Sequence, residues 1–325
     1  MFKFLITVLA CIFIIPTIID TSLVIEPTVE LERVLHYYHD DRIQMNDYLL
    51  IGTHGSVSYK IDTNILVHNR GISIKRMLGY IVPGIIKRWS KNQHYDILSQ
   101  LRMGARFLHI EVGWHNHQYV AIHSYYCMRL VDVFRQIHLF LDQTTKGFVM
   151  IHVQTFGTLP NNNLNITNYI KPYYKFNKTL SQFTLLKDMY KTLVILDKTF
   201  RQQPGIDRAD WDYFISTSVA ELSNNRNLVT SGFSWVMTPD QTIILKSIGY
   251  PFKNKGLYTF PTITQKFVMK RFLLTYYKVL TAHYICLIVD HLNYDDINTI
   301  EAINKQTHLN NNVQLLLKDK QTSNK

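Results

Sequence analysis

Short apolar runs alternate with stretches of helical periodicity along most of this chain. That alternation limits the fold more than any other feature. Strands are expected at 48–52, 106–112, 119–123, 148–154, 192–196, 234–238 and 284–290. Helical patterns lie among them at 97–103, 129–143, 262–280 and 296–306, with a shorter one at 29–39. The strands read as continuous apolar runs, which is how strands of a parallel sheet covered on both faces read. Seven or eight such strands over roughly 280 residues fit an α/β architecture of the TIM-like (β/α) barrel type, distorted or incompletely closed, better than a doubly wound sheet. No glycine-rich phosphate loop follows any strand, which weighs against the dinucleotide-binding alternative. The sequence shows no internal repeat.

Hydrophobic residues make up 46% of the 325 and charged residues 18%, so the chain has the means to bury a core. Its formal charge of +11 points to an anionic partner. There is no zinc-finger spacing, RNP-like motif or long basic arm, so a membrane face ranks above nucleic acid. The first twenty residues, "MFKFLITVLACIFIIPTIID", place Lys3 before an apolar run from Phe4 to Ile19. Residues 1–22 therefore read as a signal peptide or an N-terminal signal anchor. The barrel is assigned to 23–310 and a polar tail to 311–325. Either form of leader puts the barrel on the extracytoplasmic side, secreted or membrane-anchored. The sequons "NIT" at Asn165 and "NKT" at Asn177 agree with that route. Three cysteines are too few for a disulfide framework. Cys127 follows His123 by four residues and Cys286 precedes Asp290 by four, so the two are expected at different heights, as free packed thiols.

In barrels of this kind the site opens at the C-terminal ends of the strands. The polar residues found there are His54, His109, Glu111, His123, Gln154 and Asp290. His109 and Glu111 share one face of their strand, because side chains two apart do. A single histidine at a strand end is more often structural or merely exposed. Several at one barrel mouth form a set that chemistry can use.

These residues lie inside recognisable blocks. "LLIGTHGSVSY" resembles the first-strand motif P-G-T-H-D-S of the catalytic X domain of phosphatidylinositol-specific phospholipase C, above all the small bacterial type. "WSKNQHYDILSQLRMGARFLHIEV" is similar to that family's W-x-x-T-Q … Q-x-x-x-G-A-R-x-x-D-I-R block, without gaps. "YVAIHS", "VDVFRQIHLFLDQTTKGFVMIHVQ", "TLVILDK" and "YICLIVDHLN" resemble later elements in the right order. The likeness spans about residues 45–305 and is poorly anchored over about 200–260.

The resemblance implies a barrel that cleaves the glycerol–phosphate bond of a phosphoinositide. The inositol 2-hydroxyl would attack phosphorus and the lipid would leave. That chemistry needs a base, an acid and positive charge at the phosphate. The resemblance puts His54 in the place of the general base, His123 in that of the general acid, and Asp290 in that of the carboxylate orienting the base. It places Arg106, His109, Gln154 and Lys198 as substrate-binding residues. The substrate would be a phospholipid or glycolipid phosphodiester, met at a membrane surface.

Three positions depart from the family. The aspartate after the base is Gly55, the aspartate of D-I-R is His109, and its phosphate-clamping arginine is Glu111. A carboxylate about 4 Å from a phosphodiester repels it by about 4 kcal/mol at an effective dielectric of about 20, or around three decades of rate. Something positive must compensate. Related branches of the superfamily place acids on this strand around Ca²⁺ or Mg²⁺, which makes Glu111 a candidate ligand for a divalent cation. Ca²⁺ wants more oxygens than are found here, and the histidines suit Zn²⁺ or Mn²⁺ better. A Lys or Arg paired with Glu111 is the alternative.

The stretch "HNRGISIKRMLGYIVPGIIKRW", residues 68–89, mixes apolar side chains with Arg70, Lys75, Arg76, Lys87 and Arg88. It reads either as an interfacial segment or as an ordinary barrel helix with a charged face. Two functions therefore stand: a phosphodiesterase, or a catalytically degenerate barrel that binds a membrane or surface.

Overall fold

The computed structural model describes residues 43–44, 48–67, 90–157, 164–169, 175–177, 185–196, 201–203, 233–237, 285–289, 291–294 and 296–305. The expected leader, the helices at 29–39 and 262–280, the basic stretch at 68–89, the tail, Lys198 and Asp290 lie outside them.

Among the described residues, eight strands run parallel. They are β1 (Leu50–Thr53), β3 (Phe107–His115), β6 (Val149–Thr155), β7 (Lys175–Asn177), β8 (Thr192–Leu196), β9 (Arg201–Gln203), β10 (Phe233–Met237) and β11 (Ile285–Val289). Their order around the curl is β9-β10-β11-β1-β3-β6-β8-β7, each pair parallel. Among the described residues, β7 and β9 end the run without pairing to each other, so the barrel is incompletely closed.

The expected strand at 119–123 forms, but it is not part of the parallel set. It is β4 (Gln118–His123), which returns antiparallel to β3 through a tight turn. Asn116 and His117 have φ of 47° and 59°, the pair of left-handed residues that a type I′ hairpin requires. Four strands were not expected from the sequence: β7 and β9 at the ends of the parallel run, and β2 (Asp62–Leu66) and β5 (Tyr125–Arg129), which extend this antiparallel lobe. β4 takes over from β1 along one edge of β3, since β1 pairs only with Phe107 and Leu108 and β4 only with 111–115.

Helix α1 (Ile97–Met103) starts where Asp96 accepts a bond from the Ser99 amide at 2.7 Å. It ends at Gly104, whose φ of 125° no L side chain adopts easily. Helix α2 (Leu130–Gln143) buries Leu130, Val133, Phe134, Ile137 and Leu141, one stripe at helical spacing.

Strand alternation divides the core in two. Leu108, Ile110 and Val112 point outwards and pack with the buried stripes of α1 and α2. Leu50, Phe107, Phe148, Met150, Val194 and Ile288 fill the barrel interior. Phe107, Met150, Val194 and Ile288 lie level, because Phe107 pairs with Met150, Met150 with Val194, and Gly52 with both Phe107 and Ile288, while Leu50 and Phe148 stand two residues below Gly52 and Met150. Glycine is required at 52: a Cβ there would sit 2.6 Å from Phe107 Cβ. Cys127 is a buried free thiol, as expected, and burial raises its pKa, helped by Glu111.

Candidate functional site

One step of alternation above the apolar layer, the interior turns to imidazole. His54 follows the end of β1, His109 lies two residues above Phe107, and His152 is the register partner of His109 on β6. The rings follow that order. His54 and His109 are stacked with centroids 5.2 Å apart and 8° between planes, and His109 and His152 at 5.5 Å and 19°. His123, from the end of β4, meets His54 edge-on at 6.0 Å and 89°. β3, with β1 and β4 along one edge and β6 along the other, thus brings four histidines together. Glu111 and Gln154 are paired in register one step higher, Glu111 buried and Gln154 exposed at the rim.

The backbone at the mouth is fixed by short polar side chains. The His54 amide donates to the Val289 carbonyl at 3.0 Å, which ties β1 to β11. Gln93 is fully buried, and its Nε2 donates to the carbonyls of His54 (3.1 Å) and Val289 (2.9 Å) while its Oε1 accepts from the Leu292 amide (3.2 Å). The Ser58 hydroxyl accepts from the amides of Asn92 and Gln93 at 2.8 and 3.1 Å. The Ser56 hydroxyl donates to the Thr53 carbonyl (2.9 Å) and accepts from the His109 amide (3.0 Å). The hydroxyls of Ser56 and Ser58 and the Gln93 amide thus each gain partners, which offsets the desolvation cost of burying them.

His123 and His54 are each held at Nδ1. His123 Nδ1 lies 2.8 Å from the Ser90 carbonyl, which can only accept, so Nδ1 carries the hydrogen and Nε2 is left for other chemistry. His54 Nδ1 lies 2.9 Å from Asn92 Nδ2. An amide nitrogen donates, placing His54's hydrogen on Nε2; a half-turn of the amide would present the oxygen and reverse the tautomer. Asn92 therefore selects which nitrogen of His54 is basic. Gly55, with φ of +50°, stands between the two histidines: a Cβ there would be 3.5 Å from both Asn92 Nδ2 and His123 Cδ2. The Ser90 carbonyl thus supports His123 in a chain that has no carboxylate at 55.

His109 is 2% exposed. Burial, then the neighbouring imidazoles, hold its pKa well below the usual histidine range, against a smaller upward pull from Gln154. Neither of its ring nitrogens completes a hydrogen bond among the described residues, and the nearby Gln154 side chain exerts only that upward pull. Burial also lowers the pKa of His152.

The structure thus brings His54, His123, His109, Glu111 and Gln154 to one mouth, as the strand ends require. Arg106 is a correction. It is three residues from His109, hence on the opposite face of β3, and its Nη1 donates to the carbonyls of Leu101 and Ala105, both at 2.8 Å. Its guanidinium lies 5.1 Å over the Phe140 ring on the helix side, and burial lowers its pKa to about 10. It packs α1 and α2 onto the sheet and does not reach the mouth. Asp290 and Lys198 lie outside the described residues. Asn92 and Gln93, which position His54, sit in the quoted "WSKNQ" block at the threonine and glutamine of the family pattern, so their place was on view without a role attached. His152 lay unremarked inside the apolar run "FVMIHVQ".

Among the described residues, no three His, Cys, Asp or Glu side chains are placed to hold a metal ion. The near-parallel imidazoles face one another across their planes, whereas ligands to one ion must aim nitrogen lone pairs at a common point. This donor set does not fit the cation expected at Glu111. No helix among the described residues is long and apolar enough to cross a membrane.

Solved structures share this fold. The phosphatidylinositol-specific phospholipase C of Listeria monocytogenes superposes with a TM-score of 0.51 at 14% identity, over 81% of this chain and 95% of that one. A mutant of the Staphylococcus aureus phosphatidylinositol-specific phospholipase C gives 0.52 at 12%, over 82% and 93%. No model of a known protein family and no curated protein sequence matches the chain. The fold is therefore that of the bacterial phosphatidylinositol-specific phospholipases C, a TIM barrel distorted and incompletely closed.

Proposed function

We propose that this chain cleaves a lipid phosphodiester, with His54 and His123 as its acid–base pair. The observation that carries the reading is their edge-on approach at 6.0 Å across the barrel mouth. A nitrogen must come within about 2.6–3.2 Å of each oxygen it serves, so two imidazoles at this separation can attend two oxygens of one phosphorus after small side-chain rotations. His54 takes the proton from the attacking hydroxyl on Nε2, in the tautomer that a half-turn of the Asn92 amide sets, with the amide oxygen accepting from Nδ1–H. His123, once protonated, donates from Nε2 to the leaving oxygen while Nδ1 stays on the Ser90 carbonyl. Asn92 keeps His54 oriented, with Asp290 adjoining β11 in sequence as the carboxylate that would steady the imidazolium.

The substrate class follows from the shared fold and from the net charge of +11, which favours an anionic lipid surface. The leader and the sequons support a secreted or membrane-anchored barrel on the extracytoplasmic side. Asn165 is exposed, as a glycosylated residue must be.

Glu111 supports a second reading. A buried carboxylate at the mouth opposes phosphate, which suits a barrel that binds a surface without turnover. Hydrolysis of a soluble phosphoinositide analogue, with and without chelator, separates the readings. Turnover that persists in chelator is the result expected. Turnover lost in chelator and restored by Ca²⁺ or Mg²⁺ would assign a cation to Glu111. No turnover on any phosphodiester, with tight vesicle binding, would establish the degenerate barrel.

A further inference from the structure

Two-histidine chemistry leaves half of the imidazole at this mouth without a role. His109 and His152 are neither base nor acid, yet they continue the stack from His54 at 5.2 and 5.5 Å. His109 is almost wholly buried, and neither ring nitrogen has a hydrogen bond among the described residues. Burying polar atoms in this way carries a cost that a bound ligand would remove. Among the described residues no Lys or Arg is placed at the mouth, and Arg106 is turned to the helix side.

We propose that His109 and His152 form an oxyanion-binding site that takes up a proton from solvent when the anion arrives, and so supplies the charge that an arginine supplies elsewhere. The identity of the anion as a phosphodiester rests on the function proposed above; the binding itself does not. No covalent bond changes. One proton moves onto an imidazole nitrogen, and the imidazolium donates to an anion oxygen. Burial disfavours charge on both rings, and on His109 the neighbouring imidazoles add to it. The titratable groups that face it are His54 from β1, Glu111 from β3 itself and His123 from β4, with the amide of Gln154 on β6. Glu111 is the competing anion, so its removal strengthens binding without abolishing proton coupling.

Sulfate is the probe, because it stays a dianion across the range in which histidine titrates. Calorimetry on the full chain, in buffers of different ionisation enthalpy at constant ionic strength, reads both affinity and protons. The expected result is an affinity that rises about tenfold or more from about pH 8 to about pH 5.5, with about one proton taken up per sulfate. His152→Asn, half-buried and so tolerant of change, is expected to lose about tenfold in affinity at the acid end and most of the pH dependence. Glu111→Gln is expected to bind more tightly and keep the proton uptake. His109→Asn should behave as His152→Asn does, where circular dichroism shows it folded. A pH-independent affinity, no sulfate binding at any pH, or a folded His152→Asn that binds as the wild type does would overturn the site. Phosphodiester turnover without proton-coupled sulfate binding overturns this inference and leaves the acid–base pair standing. Coupled binding without turnover upholds the site and removes the catalytic reading.

Discussion

The barrel interior has two layers built by the same strands and the same face. In the lower one, Phe107, Met150, Val194 and Ile288 close over Leu50 and Phe148. In the upper one, two residues further along each strand, stand His54, His109 and His152. Pleat geometry is common to both; only side-chain chemistry differs. The lower layer gains from exclusion of water, while the upper layer gives up some stability to keep polar groups in a dry place. Such a division is expected where a stable scaffold carries a reactive mouth.

The largest test of the contrast is in the lower layer. Phe107→Ala removes a fully buried ring and is expected to cost about 3–5 kcal/mol in a denaturant titration. His152→Leu, one layer up on the next strand, should cost nothing or stabilise. If both substitutions destabilise equally, the upper layer is ordinary core.

A smaller effect concerns acid. His109 and His152 have depressed pKa values in the folded chain, so the unfolded chain binds protons that the folded one refuses. Stability is therefore full above about pH 6.5 and falls as pH drops below it, by up to about 1.4 kcal/mol per pH unit for each histidine. Unfolding midpoints between about pH 7 and about pH 5 should show this slope, reduced by one histidine's share in His109→Leu. An unchanged slope in that variant would mean that His109 is charged when folded.

The smallest effect sharpens the join between the layers and the antiparallel lobe. Gly55→Asp places a carboxylate beside His123, at a φ that aspartate tolerates at a cost of about 1 kcal/mol. A nearby negative charge favours the imidazolium, so the limb of the pH–kcat/KM profile due to the acid should move to higher pH. A profile that does not move would place His123 out of reach of residue 55.

Much of this arrangement is legible in the sequence, for reasons that differ by element. The cores of β1, β3, β6, β8 and β11 are apolar runs, and α1 has its cap and stop signals in Asp96 and Gly104. The direction of β4 was not legible, because the Asn116–His117 turn has no glycine to announce a hairpin. The strands β2 and β5 were missed because "DTNIL" and "YYCMR" show neither a continuous apolar run nor clean alternation. Face parity separates Arg106 from His109 at three residues' spacing, and the motif obscured it. Conversely, no periodicity gives Asn92 its partner, since its contact with His54 joins residues 38 apart through a loop.

Role assignment at the mouth is tested most directly by leaving-group dependence. Wild type, His54→Ala and His123→Ala are compared on two soluble inositol phosphodiesters, one releasing an alcohol and one a nitrophenol. The alcohol needs a proton as it leaves; the phenolate does not. On the alcohol ester both variants should lose about 10²–10⁴-fold in kcat. On the nitrophenyl ester His123→Ala should recover most of its loss, while His54→Ala should not. Equal losses on both esters for His123→Ala, or turnover that survives either substitution, would contradict the claim that these two imidazoles divide the work of acid and base.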